Sequence, residues 1–337
     1  MACVLFSDAI KADKLDTHTY KINLNDGFCI GAVPNGGYVA SCMLTAASAH
    51  LSSRDQRDML SAYFEYPGQV GARTAIMVIE DVKLSRRLSI LHLTLWQGGL
   101  LPQTPWITPS VSRRVVLAYA TYTNLRTFTG MSMPTRYEAT PTSGLPSLPD
   151  FKALKIKQAD DNWELSKLPK GSESWRSLGN WCFYLPRDEP PVPGVVDMWM
   201  RMKSGERMTQ ASLAYVVDSF PWNLHTFFAA PELRKILTGI SQEVKPKTQS
   251  GKAQGEDQRA GLWFPTVVMN IETKALLPDE GVEWLAVRLM SKQTKNGRFD
   301  IDILVRTIDG EIVALSHHLA MIVSIEKNTK KGGWFSN

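Results

Sequence analysis

Cysteine is scarce in this sequence, and the few cysteines follow no ligand pattern. The 337-residue chain has four of them, Cys3, Cys29, Cys42 and Cys182, with neither metal-ligand spacing nor the density of a disulfide framework. This usage is typical of a reducing compartment. The amino terminus lacks a basic segment followed by a long apolar one, and no apolar run reaches the length of a membrane span. We therefore expect a cytoplasmic protein with no membrane span.

Charge of one sign is in only small excess. The 38 basic and 33 acidic residues leave a formal net charge of +5, spread along the chain. The densest basic runs, Lys245–Arg259 and Lys327–Lys331, have the composition of a solvated loop and a solvated tail. The charge pattern therefore argues against a nucleic-acid partner.

Several catalytic motifs are also missing. The chain has no Gly-x-Ser-x-Gly nucleophile elbow, no Walker loop and no Gly-x-Gly-x-x-Gly. The histidines never fall at metal-binding helical spacing with acids; they are His18, His50, His92, His225, His317 and His318. Adjacent residues of a strand point to opposite faces, so at most one histidine of the pair at 317 and 318 can face a given pocket. The sequence predicts no metal and no other cofactor.

What the chain does contain is one pattern twice: a helix apolar on nearly every face, followed by a run of strands. The first predicted helix is Tyr38–Leu51, entered through Asn35-Gly36-Gly37, and the second is Met208–Phe220, which Pro221 ends. A helix that is apolar all round must be buried. A sheet wrapped around a buried helix is the hotdog arrangement, so the sequence predicts an α+β double hotdog with its two sheets joined edge to edge.

The strands predicted by alternation or apolar runs surround each helix in the same order. The first half has Thr17–Leu24, Met59–Tyr66, Ala75–Leu84, Ser89–Gln97 and Arg113–Leu125, and the second has Val195–Met202, Trp263–Thr273, Glu283–Ser291, Arg298–Thr307 and Glu311–Ile325. We predict an N-terminal hotdog over 1–125, a Pro-rich wrapping segment over 126–193 with a short helix near Asp150–Lys157, and a C-terminal hotdog with Asp218 over 194–337. A further helix is predicted at Pro231–Ile240 and a mobile loop at Ser241–Gly261.

Asp218 is the acidic residue of the second helix and the strongest catalytic candidate. A carboxylate with apolar walls could activate water or accept a proton, and desolvation would raise its pKa. The alternative is a helix-end acid bonded to the backbone amides of Ser219–Trp222. The residues themselves leave both interpretations open.

Weaker candidates lie on the strands and at the entry to the first helix. His318 could exchange a proton, and Asn270 could orient a water. The commoner role of such a histidine is structural or on the surface, and a mid-strand asparagine more often satisfies a bulge or faces solvent. The amides at Asn35-Gly36-Gly37 could hold a developing oxyanion, or the segment could be a plain tight turn. Trp199 and Trp222 belong to an apolar, Met-rich set around the second helix that could line a large pocket or simply be core.

Three stretches resemble the double-hotdog acyl-CoA thioesterases of the bacterial thioesterase II type, and particularly the fungal thioesterase-like proteins. They are Ile30–Tyr38, Ala211–Phe220 and Asp309–Ala314. Tyr38 and Tyr215, which lie within the first two stretches, are candidate substrate-binding residues together with the glycines before the first helix.

The resemblance also implies an active site. In that family an aspartate on the second helix, a hydroxyl residue on the following strand and a glutamine on the last strand hold the attacking water. Matched by motif, these positions fall on Asp218, Asn270 and His318, so the aspartate alone is retained.

Three functions follow from these expectations. The first is a thioesterase-like enzyme acting on an acyl thioester of coenzyme A or a carrier protein in fungal natural-product biosynthesis, needing no metal or redox cofactor. The second is a non-hydrolytic cyclase or isomerase, including Diels-Alder-type cyclisation, of an apolar polyketide or terpenoid. The third is a non-catalytic acyl or lipid binder. Proteins of this class commonly form dimers, so a homo-oligomer is a further expectation.

Overall fold

The protein is described by a computed structural model over residues 4–133, 135, 137, 146–166, 174–187, 192–224, 226 and 262–326. Its α-helices are α1 (Phe6–Ala9), α2 (Gly36–His50), α3 (Phe151–Lys157) and α4 (Leu213–Val217). Its strands are β1 (Ala12–Lys14), β2 (Thr19–Asn23), β3 (Cys29–Ile30), β4 (Val33–Pro34), β5 (Asp58–Glu65), β6 (Thr74–Leu84), β7 (Ser89–Gln97), β8 (Arg113–Thr123), β9 (Trp163–Leu165), β10 (Trp181–Pro186), β11 (Val195–Met202), β12 (Leu262–Trp263), β13 (Thr266–Thr273), β14 (Leu285–Met290), β15 (Thr294–Lys295), β16 (Arg298–Arg306), β17 (Ile312–Met321) and β18 (Val323–Ser324).

Within the described residues, one antiparallel sheet runs through both halves of the chain. Its strand order is β1-β2-β6-β7-β8-β5-β13-β17-β16-β14-β11-β10-β9, with β15 paired to β16. The halves meet where β5 pairs with β13, from Val268 opposite Glu65 to Glu272 opposite Ser61. The predicted edge-to-edge joining of the two sheets is therefore confirmed, and it leaves neither central edge unpaired.

Helix α2 is the buried helix that the sequence predicts, and it begins two residues earlier than expected. Asn35 caps it, with its side-chain oxygen accepting a hydrogen bond from the amide of Tyr38 at 3.0 Å. Ten of its fifteen residues are buried. Gly37 allows α2 to approach α4, because a Cβ atom at this position would lie 2.2 Å from the carbonyl oxygen of Ala214.

The second buried helix is shorter than the prediction of Met208–Phe220. A 3₁₀ turn at Gln210–Ser212 leads into α4, which ends at Val217. Met208 is excluded from the helix because its backbone pairs with Val282 in an antiparallel bridge. Apolar composition alone could not reveal this pairing, because a strand bridge and a buried helix both favour such residues.

The Pro-rich segment between the halves contains more structure than a surface connection. The short helix predicted near Asp150–Lys157 is present as α3, capped by the side chain of Asp150. Strands β9 and β10 also fall within residues 126–193, and β10 extends the sheet by pairing with β11. The division of the chain after residues 125 and 193 stays a prediction. The helix predicted at Pro231–Ile240 and the loop predicted at Ser241–Gly261 lie outside the described residues.

The main hydrophobic core is continuous between the two halves. It contains buried side chains of α2, α4 and the inner faces of strands from both parts of the sheet. A smaller cluster beneath α3 contains Trp199, Tyr184 and Trp284. No helix in the described ranges is both long and apolar enough to cross a membrane.

Candidate active site

Asp218 lies at the point where α4 ends against the start of α2. One carboxylate oxygen, Oδ2, accepts a hydrogen bond from the amide of Gly37 at 2.7 Å. The other, Oδ1, accepts one from the hydroxyl of Thr266 at 2.8 Å. The backbone oxygen of Asp218 also accepts a hydrogen bond from the side chain of Asn35 at 2.7 Å. The carboxylate therefore accepts hydrogen bonds from Gly37 and Thr266, which are distant in the sequence. The alternative, in which it is bonded to the backbone amides of Ser219–Trp222, does not describe these contacts.

Burial changes the acidity of this carboxyl group. The side chain of Asp218 is only 10% exposed. Desolvation raises the pKa of Asp218 to about 6, although the hydrogen bonds from Thr266, Gly37 and Gly36 oppose this rise. At neutral pH the group is mainly ionised, yet it can take up a proton more readily than an exposed aspartate.

His318 is on β17 beside the carboxylate. Its side chain is 3% exposed, and its Nδ1 lies 3.6 Å from Oδ1 of Asp218. Burial lowers the pKa of His318 to about 3, so the imidazole is neutral. The neighbouring His317 faces the other side of the sheet, where it contacts Asp302 at 2.6 Å. The expectation that at most one histidine of this pair faces a given pocket is confirmed.

The hydrogen bonds of Ser316 assign the proton on the His318 ring. The Ser316 hydroxyl donates to the carbonyl oxygen of Asn270 and lies 2.9 Å from Nε2 of His318. Because the serine hydrogen is used by that carbonyl group, Nε2 must carry the hydrogen and donate to the serine oxygen. Nδ1 therefore presents a lone pair towards Asp218.

The hydroxyl residue of the site is Thr266, and the sequence-based assignment of Asn270 is corrected. Thr266 pairs with Ala320 while Val268 pairs with Leu319, so β13 contains a bulge at Val267. A bulge reverses the alternation of side chains. Thr266 is thereby turned to the inner face, whereas Asn270 points outward and is exposed. Sequence alternation could not find Thr266, because it assumes an unbroken strand.

A largely apolar cavity opens at this constellation. Asp218, Thr266 and His318 contribute to its wall, together with Asn35 and Gly36. Much of the remaining wall is apolar, including Val33, Trp175, Phe220, Phe264, Phe299 and Ile301. Such a wall suits an apolar ligand with one polar, reactive end.

Tyr66 also lines the cavity, and sequence reasoning missed it. Its hydroxyl donates a hydrogen bond to the carbonyl oxygen of Gly36 at 2.9 Å, which fixes the segment that enters α2. Tyr66 directly follows β5 and contacts a segment thirty residues earlier in the chain. No local pattern in the sequence indicates such a contact.

The helix entry has a different role from the predicted oxyanion site. The amide of Gly37 already donates to the Asp218 carboxylate, so it is not available to a substrate oxygen in this arrangement. Asn35 and Gly36 do line the cavity. The entry segment therefore positions Asp218 and forms part of the wall.

The four aromatic residues predicted to bind substrate lie outside the cavity wall. Tyr38 is stacked on Phe28, with ring centroids 4.4 Å apart, and its hydroxyl donates to the carbonyl oxygen of Ala9 at 2.9 Å. The Tyr215 hydroxyl lies 2.9 Å from the carbonyl oxygen of Ser177. Both tyrosines are buried core residues that do not contribute to the wall of the cavity at Asp218, so the structure corrects their assignment.

Trp199 and Trp222 are likewise core residues. Trp199 belongs to the cluster beneath α3, and Trp222 packs against Phe220 with ring centroids 4.9 Å apart. Buried aromatic residues most often stabilise a core, and the sequence could not distinguish this role from that of a pocket wall.

Comparison with known proteins agrees with this geometry. A family model described as the acyl-CoA thioesterase N-terminal domain matches residues 24–123, and one described as the acyl-CoA thioesterase C-terminal domain matches residues 152–322. The thioesterase-like protein TwmA from Talaromyces wortmannii is 61% identical over 334 residues, which cover 98% of this chain and 96% of TwmA.

Solved structures show the same fold at low identity. A conserved hot dog fold protein of unknown function from Alicyclobacillus acidocaldarius has a TM-score of 0.64 and 17% identity, over 94% of this chain and 97% of that one. The acyl-CoA thioesterase II TesB2 from Mycobacterium marinum has a TM-score of 0.56 and 14% identity, over 95% of this chain and 98% of that one. The predicted hotdog fold is confirmed.

Proposed function

We propose that this chain, which belongs to the acyl-CoA thioesterase family, cleaves an acyl thioester with a water molecule that Asp218 activates. Family membership makes the protein a thioesterase-like enzyme. The roles of individual residues and the nature of the acyl group are proposals that the geometry of the site supports.

The observation that carries the proposal is a pair of hydrogen-bond acceptors facing the same space. Oδ1 of Asp218 and Nδ1 of His318 are 3.6 Å apart, too far for a direct hydrogen bond, and neither carries a hydrogen near neutral pH. A water molecule on the cavity side of both atoms, within hydrogen-bond distance of each, would donate one hydrogen to each. Its oxygen lone pairs would then be free to face the cavity.

The reaction that this arrangement supports is direct hydrolysis. The water oxygen attacks the thioester carbonyl carbon while Asp218 accepts a proton from the water. The carbon–sulfur bond then breaks, and the proton passes from Asp218 to the departing sulfur. The products are a carboxylic acid and a thiol. A base with a pKa of about 6 is suited to this exchange near neutral pH.

Thr266 and Gly37 act on the reaction through Asp218. Each donates a hydrogen bond to one carboxylate oxygen, so together they fix the plane of the carboxylate and keep its pKa from rising further. We therefore assign both as positioning residues. His318 is assigned as the second acceptor for the water, in the position where the family resemblance implies a glutamine.

The apolar wall supports an apolar acyl group as the substrate. Aromatic side chains of Phe220, Phe264 and Phe299 would contact the acyl chain, while the thioester carbonyl would lie beside Asp218. We propose coenzyme A or a carrier protein as the thiol part. The 61% identical relative is a thioesterase-like protein of Talaromyces wortmannii. A setting in fungal natural-product biosynthesis stays a prediction. The cytoplasmic location and the homo-oligomer stay predictions.

A second function is favoured by one specific observation, the imidazole of His318. Its neutral Nδ1 would accept a hydrogen bond from a hydroxyl or enol group of a substrate and orient it. Asp218, with a pKa of about 6, would take up a proton at one position of the substrate and return it at another. This would support isomerisation or cyclisation of an apolar polyketide or terpenoid without cleavage of a carbon–sulfur bond.

Thiol release distinguishes the two functions. The wild-type protein would be assayed with a panel of acyl-CoA and acyl-pantetheine substrates, alongside Asp218→Asn and Asn270→Ala. Hydrolysis predicts release of free thiol, a loss of roughly 10²- to 10⁴-fold in Asp218→Asn, and no loss in Asn270→Ala because that side chain is exposed on the other face. No thiol from any substrate with folded wild-type protein, or equal rates in Asp218→Asn, would contradict the proposal.

A further inference from the structure

Two histidines and an aspartate from three separate elements meet in the N-terminal half. His18 precedes β2, His50 is the last residue of α2, and Asp81 lies in β6. Nε2 of His50 is 2.9 Å from Oδ1 of Asp81, and Nε2 of His18 is 3.1 Å from Oδ2. Among the residues that the structure describes, no other set of three or more histidine, cysteine or acidic side chains brings its ligand atoms within 4.8 Å of one another.

The hydrogen bonds of His50 place the lone pair of its Nε2 against the Asp81 carboxylate when the ring is neutral. Nδ1 of His50 is 3.1 Å from the carbonyl oxygen of Thr17. A carbonyl oxygen only accepts, so Nδ1 carries the hydrogen. In the neutral ring, Nε2 and Oδ1 of Asp81 are then two acceptors 2.9 Å apart. Such a contact requires a positive species between or on them, either an additional proton or a metal ion.

Thr17 orients both rings towards the aspartate. Its carbonyl oxygen accepts from His50, and its hydroxyl lies 3.0 Å from Nδ1 of His18. Both histidines therefore present Nε2 to Asp81. Histidines that bind metal ions characteristically use the second ring nitrogen in a hydrogen bond to a backbone carbonyl or similar group. A single threonine provides this support for both rings.

We propose that His18, His50 and Asp81 bind a divalent transition-metal ion of the Zn²⁺ type, with water as the fourth ligand. The two histidines contact different oxygens of Asp81, and one ligand atom from each of the three residues lies within 4.8 Å of the other two. Ligands about 2.0–2.1 Å from a tetrahedral zinc ion are roughly 3.3 Å apart, so the three side chains would draw together around the ion. The His18 side chain is 46% exposed, which leaves one side of the site accessible to the ion and its water. Two imidazole nitrogens favour a transition metal over Mg²⁺.

The role of this site is structural and separate from the chemistry at Asp218. The ion would connect the segment before β2, the end of α2 and β6. His50 lies fourteen residues beyond Gly36, which corresponds to about 21 Å along the axis of α2. A bound ion would therefore fasten the far end of the helix whose first turn holds the Asp218 carboxylate.

The test is a titration of chelator-treated, full-length protein with Zn²⁺, followed by calorimetry. We expect one ion per chain. We also expect a rise in Tm of about 5 °C at a 100-fold excess of Zn²⁺ over its Kd, because the ion binds only the folded chain. Tetrahedral Co²⁺ in the same site would give a visible absorption band, whereas Mg²⁺ would neither bind nor compete.

Variants connect the ion to these residues. His18→Ala and Asp81→Asn should each weaken Zn²⁺ binding by at least about 100-fold. Thr17→Val should weaken it by about 10- to 100-fold, because it removes the hydroxyl that supports the ring of His18 and keeps the carbonyl group that supports His50. His92→Ala is the matched control, because His92 lies 3.4 Å from Glu80 and belongs to no group of three such ligands in the part of the chain that the structure describes. It should bind Zn²⁺ as the wild type does.

Two results would overturn the proposal. One is the absence of saturable Zn²⁺ binding by the wild-type chain, which would leave an imidazolium as the positive species. The other is wild-type affinity in His18→Ala. Because the His18 side chain is 46% exposed, a loss of affinity in this variant is not explained by unfolding. Both readouts are independent of thiol release and so do not depend on the proposed function.

Discussion

Replacing Asp218 by asparagine should remove activity and yet stabilise the fold at alkaline pH. The wild-type carboxylate is buried among apolar side chains, and its folded-state pKa of about 6 is above the value of 3.8 for an unperturbed aspartate. Asparagine has nearly the same shape. Its oxygen can accept from the amide of Gly37, and its NH₂ group can donate to the hydroxyl of Thr266, which can reverse its own hydrogen bond.

The sign and size of the effect follow from linkage. Because the folded state of the wild type binds the Asp218 proton more tightly than the unfolded state, its stability decreases as the pH rises from about 4 to 6. Raising the pKa from 3.8 to about 6 corresponds to a destabilisation of about 3 kcal/mol above pH 7. Between pH 4.5 and pH 8 the advantage of Asp218→Asn over the wild type should grow by about 2 kcal/mol.

Urea denaturation at pH 4.5, 6 and 8 would measure this difference. Asp302→Asn is a control of opposite sign. Burial would raise the pKa of Asp302, but hydrogen bonds from Lys292 and His317 outweigh it and hold that pKa below its usual value. Asp302 therefore stabilises the folded state at pH 8, and its replacement should be destabilising there. An advantage of Asp218→Asn that is constant or decreases from pH 4.5 to pH 8 would refute the reasoning.

Three further expectations concern the groups around this carboxylate. Thr266→Val removes a hydrogen-bond donor to Asp218, so the pKa of Asp218 should rise. The acidic limb of the kcat/KM–pH profile should then move to higher pH by about one unit or more, and an unmoved limb would exclude Thr266 as a positioning residue. Gly37→Ala should lower the free energy of unfolding, measured in urea, by about 1–3 kcal/mol, because the new Cβ atom would overlap α4. The control Gly179→Ala has no atom within 4 Å of its Cβ and should lower this free energy by less than about 0.5 kcal/mol. Equal effects of the two variants would contradict the close approach of α2 and α4. His318→Gln should retain thiol release within about tenfold, because the amide oxygen of glutamine can still accept a hydrogen bond from the water. His318→Leu removes this acceptor and should reduce kcat by roughly 10²-fold or more. Equal rates in the two variants would show that position 318 does not hold the water.

The sequence alone predicted the elements whose evidence is local. The apolar run of α2, its entry through Asn35-Gly36-Gly37 and the alternation along the long strands depend on neighbouring residues, so α2 and these strands were predicted with few changes of boundary. Asp218 was selected as a candidate for the same reason, since an acid on an apolar helix stands out by composition, and its catalytic role stays a proposal. The family resemblance was confirmed by the two matched domain models and by the 61% identical relative.

What only the tertiary structure decided is which distant residues meet. A bulge in β13 places Thr266, and not Asn270, beside Asp218, and one additional residue in a strand reverses every later side chain. The bridge between Met208 and Val282 shortened the second helix. His18, His50 and Asp81 show no metal-binding spacing along the chain, yet three elements bring them together. Periodicity records how each segment faces the core, whereas contacts between segments depend on register and packing, which no local pattern contains.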